Sequence, residues 1–189
     1  MSKDWTGNYH SVCGCLGAHN ECKEDREEND FYATQPIAAE WLIKLENLDN
    51  NIWECACGQG HLGKVFEEHG YNVLATDLID RGYGQGGVDF LKSDGLFVGD
   101  IVTNPPYKYA QEFIEHALNL IPDGYKVCMF LKVQFLEGKA RRELYENCPP
   151  VRFIFRQVVF NAEETEILRK VWLLMPGMFG KKDIKVTRF

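Results

Sequence analysis

From residue 36 to residue 155 the chain alternates amphipathic helical stretches with short apolar runs. That alternation restricts it to a mostly parallel sheet with helices on both faces. Pro36 opens a helix through Leu48 that carries Ile37, Trp41, Leu42 and Leu45 on one side. Further helices are predicted over 61–69, 109–120 and 139–147, the first ended by Gly70. Strands are predicted over 52–56, 72–76, 100–103, 125–131 and 151–155. The four glycines between Asp80 and Gly87 predict a mobile loop. The fold class expected is therefore α/β, a Rossmann-like doubly wound sheet. Ligands of such sheets sit outside the carboxyl ends of the strands, where the strand order reverses.

The first strand runs into the turn Glu54-Cys55-Ala56-Cys57-Gly58-Gln59-Gly60, and a helix follows. Gly58 and Gly60 let the backbone turn sharply and approach a ligand closely. Asp77 ends the next strand, where a carboxylate can accept both ribose hydroxyls of an adenosine. Glu54 is placed to meet a cationic amino group. A nicotinamide dinucleotide is a weaker fit, because Gly63 stands at the wrong offset for the third glycine of the dinucleotide fingerprint.

The stretch Asp100-Ile101-Val102-Thr103-Asn104-Pro105-Pro106-Tyr107 says most about chemistry. The two prolines fix the backbone and donate no hydrogen bond, so the Pro105 carbonyl is free to point into a site. Asn104 adds a side-chain oxygen. Two acceptors at fixed separation suit an NH2 group on an aromatic ring or an amide. Holding both hydrogens draws the nitrogen lone pair out of conjugation and aims it at a methyl sulfonium. Tyr107 supplies a flat face on which a base can stack. The gain comes from proximity, orientation and electrostatics, with no titratable base in the attacking step.

Composition limits the alternatives. The 189 residues, 45% hydrophobic and 26% charged, make one soluble globular domain. No signal peptide and no membrane-spanning run is visible, so a cytoplasmic protein is expected. The net charge of −7 argues against tight, unassisted binding to duplex DNA. Seven cysteines, an odd count, are read as reduced thiols. His10, Cys13, Cys15 and Cys22 lack the paired second knuckle of a zinc site, and no metal is expected.

These motifs together resemble the S-adenosylmethionine-dependent amino-methyltransferases, of the adenine-N6 type found in phage and prophage genomes. The resemblance runs from about Trp5 to Phe160. It implies S-adenosylmethionine as cofactor and DNA as substrate. Phe31, Tyr32, Thr34 and Pro36 match the family's first cofactor-binding segment. Glu54, Ala56, Gly58 and Gly60 match its cofactor loop, and Asp77 with Leu78 its ribose-binding acid. Asp89 and Phe90 match the segment at the cofactor adenine. Asn104, Pro105, Pro106 and Tyr107 match the catalytic tetrapeptide, with Asn104 also beside the cofactor. Phe130 to Gly138, then Arg141 and Arg142, match the strand and loop that follow. Taken singly, Phe31 and Tyr32 read as core, Asp89 as a surface acid, and Arg141 and Arg142 equally as a solvated face or as phosphate contacts.

The resemblance divides the chain into an arm at 1–30, a methyltransferase domain at 31–160 and an atypical tail at 161–189. The family's target-recognition domain is missing, and the closing hairpin strand is expected to be altered or missing. Back-translated with permissive third bases and read from the third base of the Met175 codon, the tail yields Ala-Trp-Tyr-Val-Trp-Glu-Lys-Gly-Tyr-Lys-Gly-Asp. This resembles the family's closing strand and predicts a frame change between Phe160 and Met175. The last ~25 residues then form a substitute tail. Losing a strand exposes a sheet edge and invites a homodimer. Three functions stay open: adenine-N6 transfer to DNA, the same chemistry on RNA adenine or a protein glutamine, and an inactive cofactor-binding module that needs a partner.

Overall fold

The computed structural model describes residues 34–137, 141–159, 167–176 and 185–188. Its helices are α1 (Ile37–Leu45), α2 (Gly63–Glu68), α3 (Ala110–Leu120) and α4 (Arg142–Asn147). Its strands are β1 (Asn51–Glu54), β2 (Asn72–Ala75), β3 (Asp100–Thr103), β4 (Lys126–Lys132), β5 (Arg152–Val159), β6 (Ile167–Pro176) and β7 (Lys185–Arg188). They form one sheet in the order β2-β1-β3-β4-β6-β5-β7. Among the described residues only β6 runs against its neighbours, pairing antiparallel with both β4 and β5. The strand order reverses between β1 and β3, so the crevice above their carboxyl ends is where a ligand is expected.

The central strands are apolar on both faces, as a sheet covered on two sides requires. Ile101, Val127, Met129, Leu131, Leu173 and Met175 face α3 and α4. The alternating Ile52, Val102, Cys128, Phe130, Trp172 and Leu174 face α1 and α2. At the opposite end of the sheet from the crevice, Asp100 is buried. It accepts the backbone N–H of Asp49 (2.8 Å) and of Lys126 (2.7 Å). That clamp sets β3 against its neighbours and fixes where the strand's other end emerges.

Helix α1 stops three residues before its predicted end. Arg152 donates through Nη1 to the Leu45 carbonyl and to Glu46 Oε2 (2.9 Å), so a distant guanidinium terminates the helix. The closing hairpin strand, expected to be altered or missing, is not missing: β6 occupies its place. Val171 to Leu174 pack at the centre of the sheet, and β4 and β5 are both paired through β6. The sheet's edges are β2 and β7. Cys55, Cys57, Cys128 and Cys148 are free thiols, whereas His10, Cys13, Cys15 and Cys22 lie outside the described residues. No helix among the described residues is long and apolar enough to cross a membrane.

Candidate active site at the carboxyl ends of β1, β2 and β3

The turn after β1 is built by its glycines and by Asp77. Gly58 (φ 55°) and Gly60 (φ 79°) occupy the left-handed region, where a side chain would be strained. Gly58 N–H donates to Asp77 Oδ2 (2.8 Å), and Ile79 N–H donates to Asp77 Oδ1 (2.9 Å). The carboxylate thus ties the turn to the end of β2. Each of its oxygens retains a second acceptor site for a ligand.

Residues 80–87, expected as a loop from their glycines, carry an anchor to β2 at Gln85. Gln85 N–H donates to the Ala75 carbonyl (2.9 Å), Asp77 N–H to the Gln85 carbonyl (3.0 Å), and Val88 N–H to the Asp77 carbonyl (3.0 Å). The segment is pinned against β2, and it lays Tyr83 over the glycine turn. A Cβ at Gly60 would clash with the Tyr83 ring, and one at Gly63 would clash with the Tyr83 hydroxyl. Cys57 Sγ donates to the Tyr83 carbonyl (3.3 Å). Gly63 is therefore a packing glycine, which explains its offset from the dinucleotide fingerprint. Gly63→Ala should lower cofactor affinity by about tenfold or more, because the methyl must displace Tyr83 and Glu54 Oε2 (2.6 Å) at the turn. Calorimetric titration beside a thermal melt checks this.

Glu54 is buried at the end of β1. Burial pushes its carboxyl well above the usual range, and the Gly63 backbone N–H offsets this only in part. Its Oε2 makes no hydrogen bond of ordinary geometry among the described residues. Such a carboxylate suits a cation arriving with a ligand. Asp89 caps the short turn at Phe90–Lys92, accepting from Leu91 N–H (3.2 Å) and pairing with Lys92 (2.8 Å). The hydrogen bond from Lys92 holds its carboxyl below the ordinary value. Phe90 is buried beside it, edge-on to Trp53.

β3 delivers Asn104 directly at its carboxyl end. Asn104 Nδ2 donates to Thr34 Oγ1 (2.8 Å). The Pro106 carbonyl accepts Tyr109 N–H (2.9 Å), which turns the chain into α3. Tyr107 is half-buried, with Lys132 Nζ 4.8 Å from its ring centroid, so a cation backs one part of the platform. Arg141 stacks on Phe135 (4.0 Å) and donates to its carbonyl (3.0 Å), which holds it to the loop after β4. Arg142 pairs with Glu146 on an exposed helix face (2.6 Å).

A cavity of about 370 Å³ occupies the crevice between these ends, a size suited to a small-molecule cofactor. Thr34, Glu54, Ala56, Asp77, Leu78, Asp89, Phe90, Asn104 and Pro106 all line it. Gly58 and Gly60 form the turn beside that wall. Pro36 caps α1. Pro105 and Tyr107 stand just outside the lining. Phe31 and Tyr32 lie outside the described residues. The sequence reading missed Cys55, Cys57, His61, Arg81, Lys108 and Tyr109, which also line the cavity. Adjacency to the glycine turn or the tetrapeptide was the available signal for all but Arg81. Among the described residues no cluster of three or more potential ligands is placed to hold a metal.

Solved structures share this arrangement. A modification subunit assigned to a type I restriction enzyme from Vibrio vulnificus aligns over 89% of this chain and 48% of its own, at 14% identity and a TM-score of 0.60. A Thermoplasma acidophilum protein aligns over 74% and 85%, at 15% identity and 0.58. A protein from Listeria monocytogenes assigned to the class I S-adenosylmethionine-dependent methyltransferases aligns over 81% and 63%, at 15% identity and 0.54. The chain has a methyltransferase-type Rossmann fold. It spans about half the length of the Vibrio subunit and just under two thirds of the Listeria protein. No family model and no curated protein matches the sequence. Within the methyltransferase-type fold, the cavity sits at the reversal between β1 and β3.

Proposed function

We propose that this chain transfers a methyl group from S-adenosylmethionine to an exocyclic amine, adenine N6 in DNA. One observation carries the reading. Asn104 and Pro106 of the Asn-Pro-Pro-Tyr tetrapeptide share a cavity wall with Asp77 and Glu54, so amine-binding and nucleoside-binding groups meet in one space. The residues fit the cofactor. Asp77 would take the ribose hydroxyls and Asp89 with Phe90 the adenine. Glu54, desolvated and short of a partner at Oε2, would take the amino group. Bound there, the cofactor supplies an electrophilic methyl group.

The chain's own residues do the rest. Asn104 Oδ1 and the Pro105 carbonyl accept the two amine hydrogens and localise the nitrogen lone pair. Tyr107, backed by Lys132, stacks the extruded base. The proton lost from nitrogen after attack leaves to solvent. The fold shared with a restriction-enzyme modification subunit is consistent with a nucleic-acid substrate.

Incubation with methyl-labelled S-adenosylmethionine and separate DNA, RNA and protein pools tests the reading. Label is expected in DNA as N6-methyladenine. Label confined to RNA or to protein glutamine would move the substrate, and cofactor binding without any transfer would reduce the chain to a module that needs a partner.

Asp77→Ala should weaken S-adenosylmethionine binding by roughly 1–3 kcal/mol. It removes the ribose acceptor and also strands the Gly58 and Ile79 N–H groups. Isothermal calorimetry showing unchanged affinity would remove Asp77 from the cofactor site.

A further inference from the structure

We infer that His61 receives the carboxylate at the amino-acid end of the cofactor; this rests on the S-adenosylmethionine reading above. Glu54, Asp77, Asp89 and Phe90 account for that molecule's ammonium, ribose and adenine, and its carboxylate still needs a partner. The carboxylate and the ammonium hang from one carbon atom, so the group that takes the first must stand beside Glu54. Three side chains with a basic nitrogen line the cavity: His61, Arg81 and Lys108. His61 follows Gly60 directly, and Gly63, two residues on, turns its backbone N–H to the Glu54 carboxylate. Two residues of chain span at most about 7–8 Å, so His61 belongs to the same end of the cavity as Glu54.

The other cations belong elsewhere. Arg81 lies beyond Asp77 and Ile79, on the ribose side. Lys108 follows the tetrapeptide, with Nζ 5.0 Å from the Tyr109 ring centroid, on the substrate side. Lys64 is not part of the cavity wall; its Nζ donates to the Gln59 carbonyl (3.0 Å) and lies 5.3 Å from the Tyr83 ring centroid. A second carboxylate brought up to Glu54 and Asp77 meets negative charge, and an imidazolium between them offsets it. Burial and the neighbouring Lys64 hold the His61 imidazole below its ordinary value in the free protein. An arriving carboxylate acts in the opposite sense, so the positive charge develops as the anion binds.

The test is calorimetry on the full chain with two ligands, S-adenosylmethionine and decarboxylated S-adenosylmethionine, which keeps the ammonium and lacks the carboxylate. His61→Ala should weaken the first by about tenfold or more, the scale of a hydrogen bond to a charged group. It should change the second by less than about twofold. His61→Gln, which keeps a donor, should fall between. A further readout uses the wild type alone. At pH 7, binding heats in two buffers of different ionisation enthalpy should show more protons taken up with S-adenosylmethionine than with the decarboxylated ligand. Protons moved at Glu54 by the ammonium, or at Asp77 by the ribose, enter both titrations alike and leave the difference to the carboxylate.

Equal loss of both ligands in His61→Ala, or loss of neither, would overturn the inference. Equal proton uptake with the two ligands would do the same. Selective loss of S-adenosylmethionine in Arg81→Gln or Lys108→Gln, with His61→Ala unaffected, would overturn it and give the carboxylate to that cation. A wild type that binds neither ligand would sink the cofactor reading, and the inference with it.

Discussion

Asn104→Ala is expected to reduce single-turnover methyl transfer by about 10²–10³-fold or more, the range for deleting one preorganised polar group at a reacting centre. Cofactor affinity should stay within a few-fold. The two effects separate because of where Asn104 sits. It emerges at the end of β3, with its amide nitrogen held by Thr34, while the groups placed for the cofactor lie at the end of β1, just beyond β2 and in the turn at Phe90–Lys92. Removing its side chain deletes an acceptor for the amine and leaves Asp77 and Glu54 in place. Tyr107→Ala should cost about 1–3 kcal/mol in binding of an adenine oligonucleotide, from lost stacking. Tyr107→Phe should be mild, since the ring carries the contact and also receives Lys132. The measurement is transfer to an adenine-containing oligonucleotide, with cofactor binding titrated on the same variants. Full turnover by Asn104→Ala would dismiss amine orientation as the mechanism.

Where local chemistry dictates structure, the sequence was sufficient. β3 was legible as Asp100 to Thr103 because a short apolar run meets two prolines that cannot continue a strand. The glycine turn was legible because two glycines between a strand and a helix have few other uses. Of the nine predicted residues that line the cavity, Glu54, Ala56, Asp77, Leu78, Asn104 and Pro106 do so because they end or directly follow β1, β2 and β3, whereas Thr34 lies ahead of α1 and Asp89 and Phe90 belong to the short turn before β3.

Distant side chains account for the misses. The end of α1 is decided by Arg152, 107 residues away from Leu45, and no local signal in α1 announces it. Residues 80–87 read as mobile because glycine composition reports backbone freedom. It does not report that Gln85 pairs with β2 or that Tyr83 fits the notch left by Gly60 and Gly63. The same notch gives Gly63 its purpose, which the offset from a dinucleotide fingerprint could only exclude. The resemblance places Thr34 at the cofactor because the neighbouring residues resemble a cofactor-binding segment. Its partner Asn104 becomes visible only once α1 is folded against the sheet.

Residues 167–176 present the sharpest contrast between a family pattern and local physics. The comparison of motifs breaks down after Phe160, yet Val171-Trp172-Leu173-Leu174-Met175 is a continuous apolar run of the kind that fills a sheet interior. In the fold it does so, with Trp172 at its centre. The indole is 2% exposed, packs on Phe130 at 4.9 Å, and donates through Nε1 to the Ala38 carbonyl at 2.9 Å. It thereby joins β6 to α1. Trp172→Ala should destabilise the protein by about 3–5 kcal/mol, as for large aromatic truncations in a packed core. In a chain of this length that lowers the melting temperature by roughly 2–4 °C per kcal/mol. Trp172→Phe retains most of the packing but loses the Nε1 hydrogen bond to the Ala38 carbonyl, and should cost about 0.5–1.5 kcal/mol. Urea titration of the three proteins, at matched concentration and without cofactor, reads both differences. An Ala variant within about 0.5 kcal/mol of the wild type, the range of a surface substitution, would mean that Trp172 is not in the core. The substitute-tail reading would then hold from this strand onward, and the sheet would end at β4 with an exposed edge. A loss of several kcal/mol with the smaller Phe effect places the strand in the core and makes the encoded frame through Pro176 the one that folds.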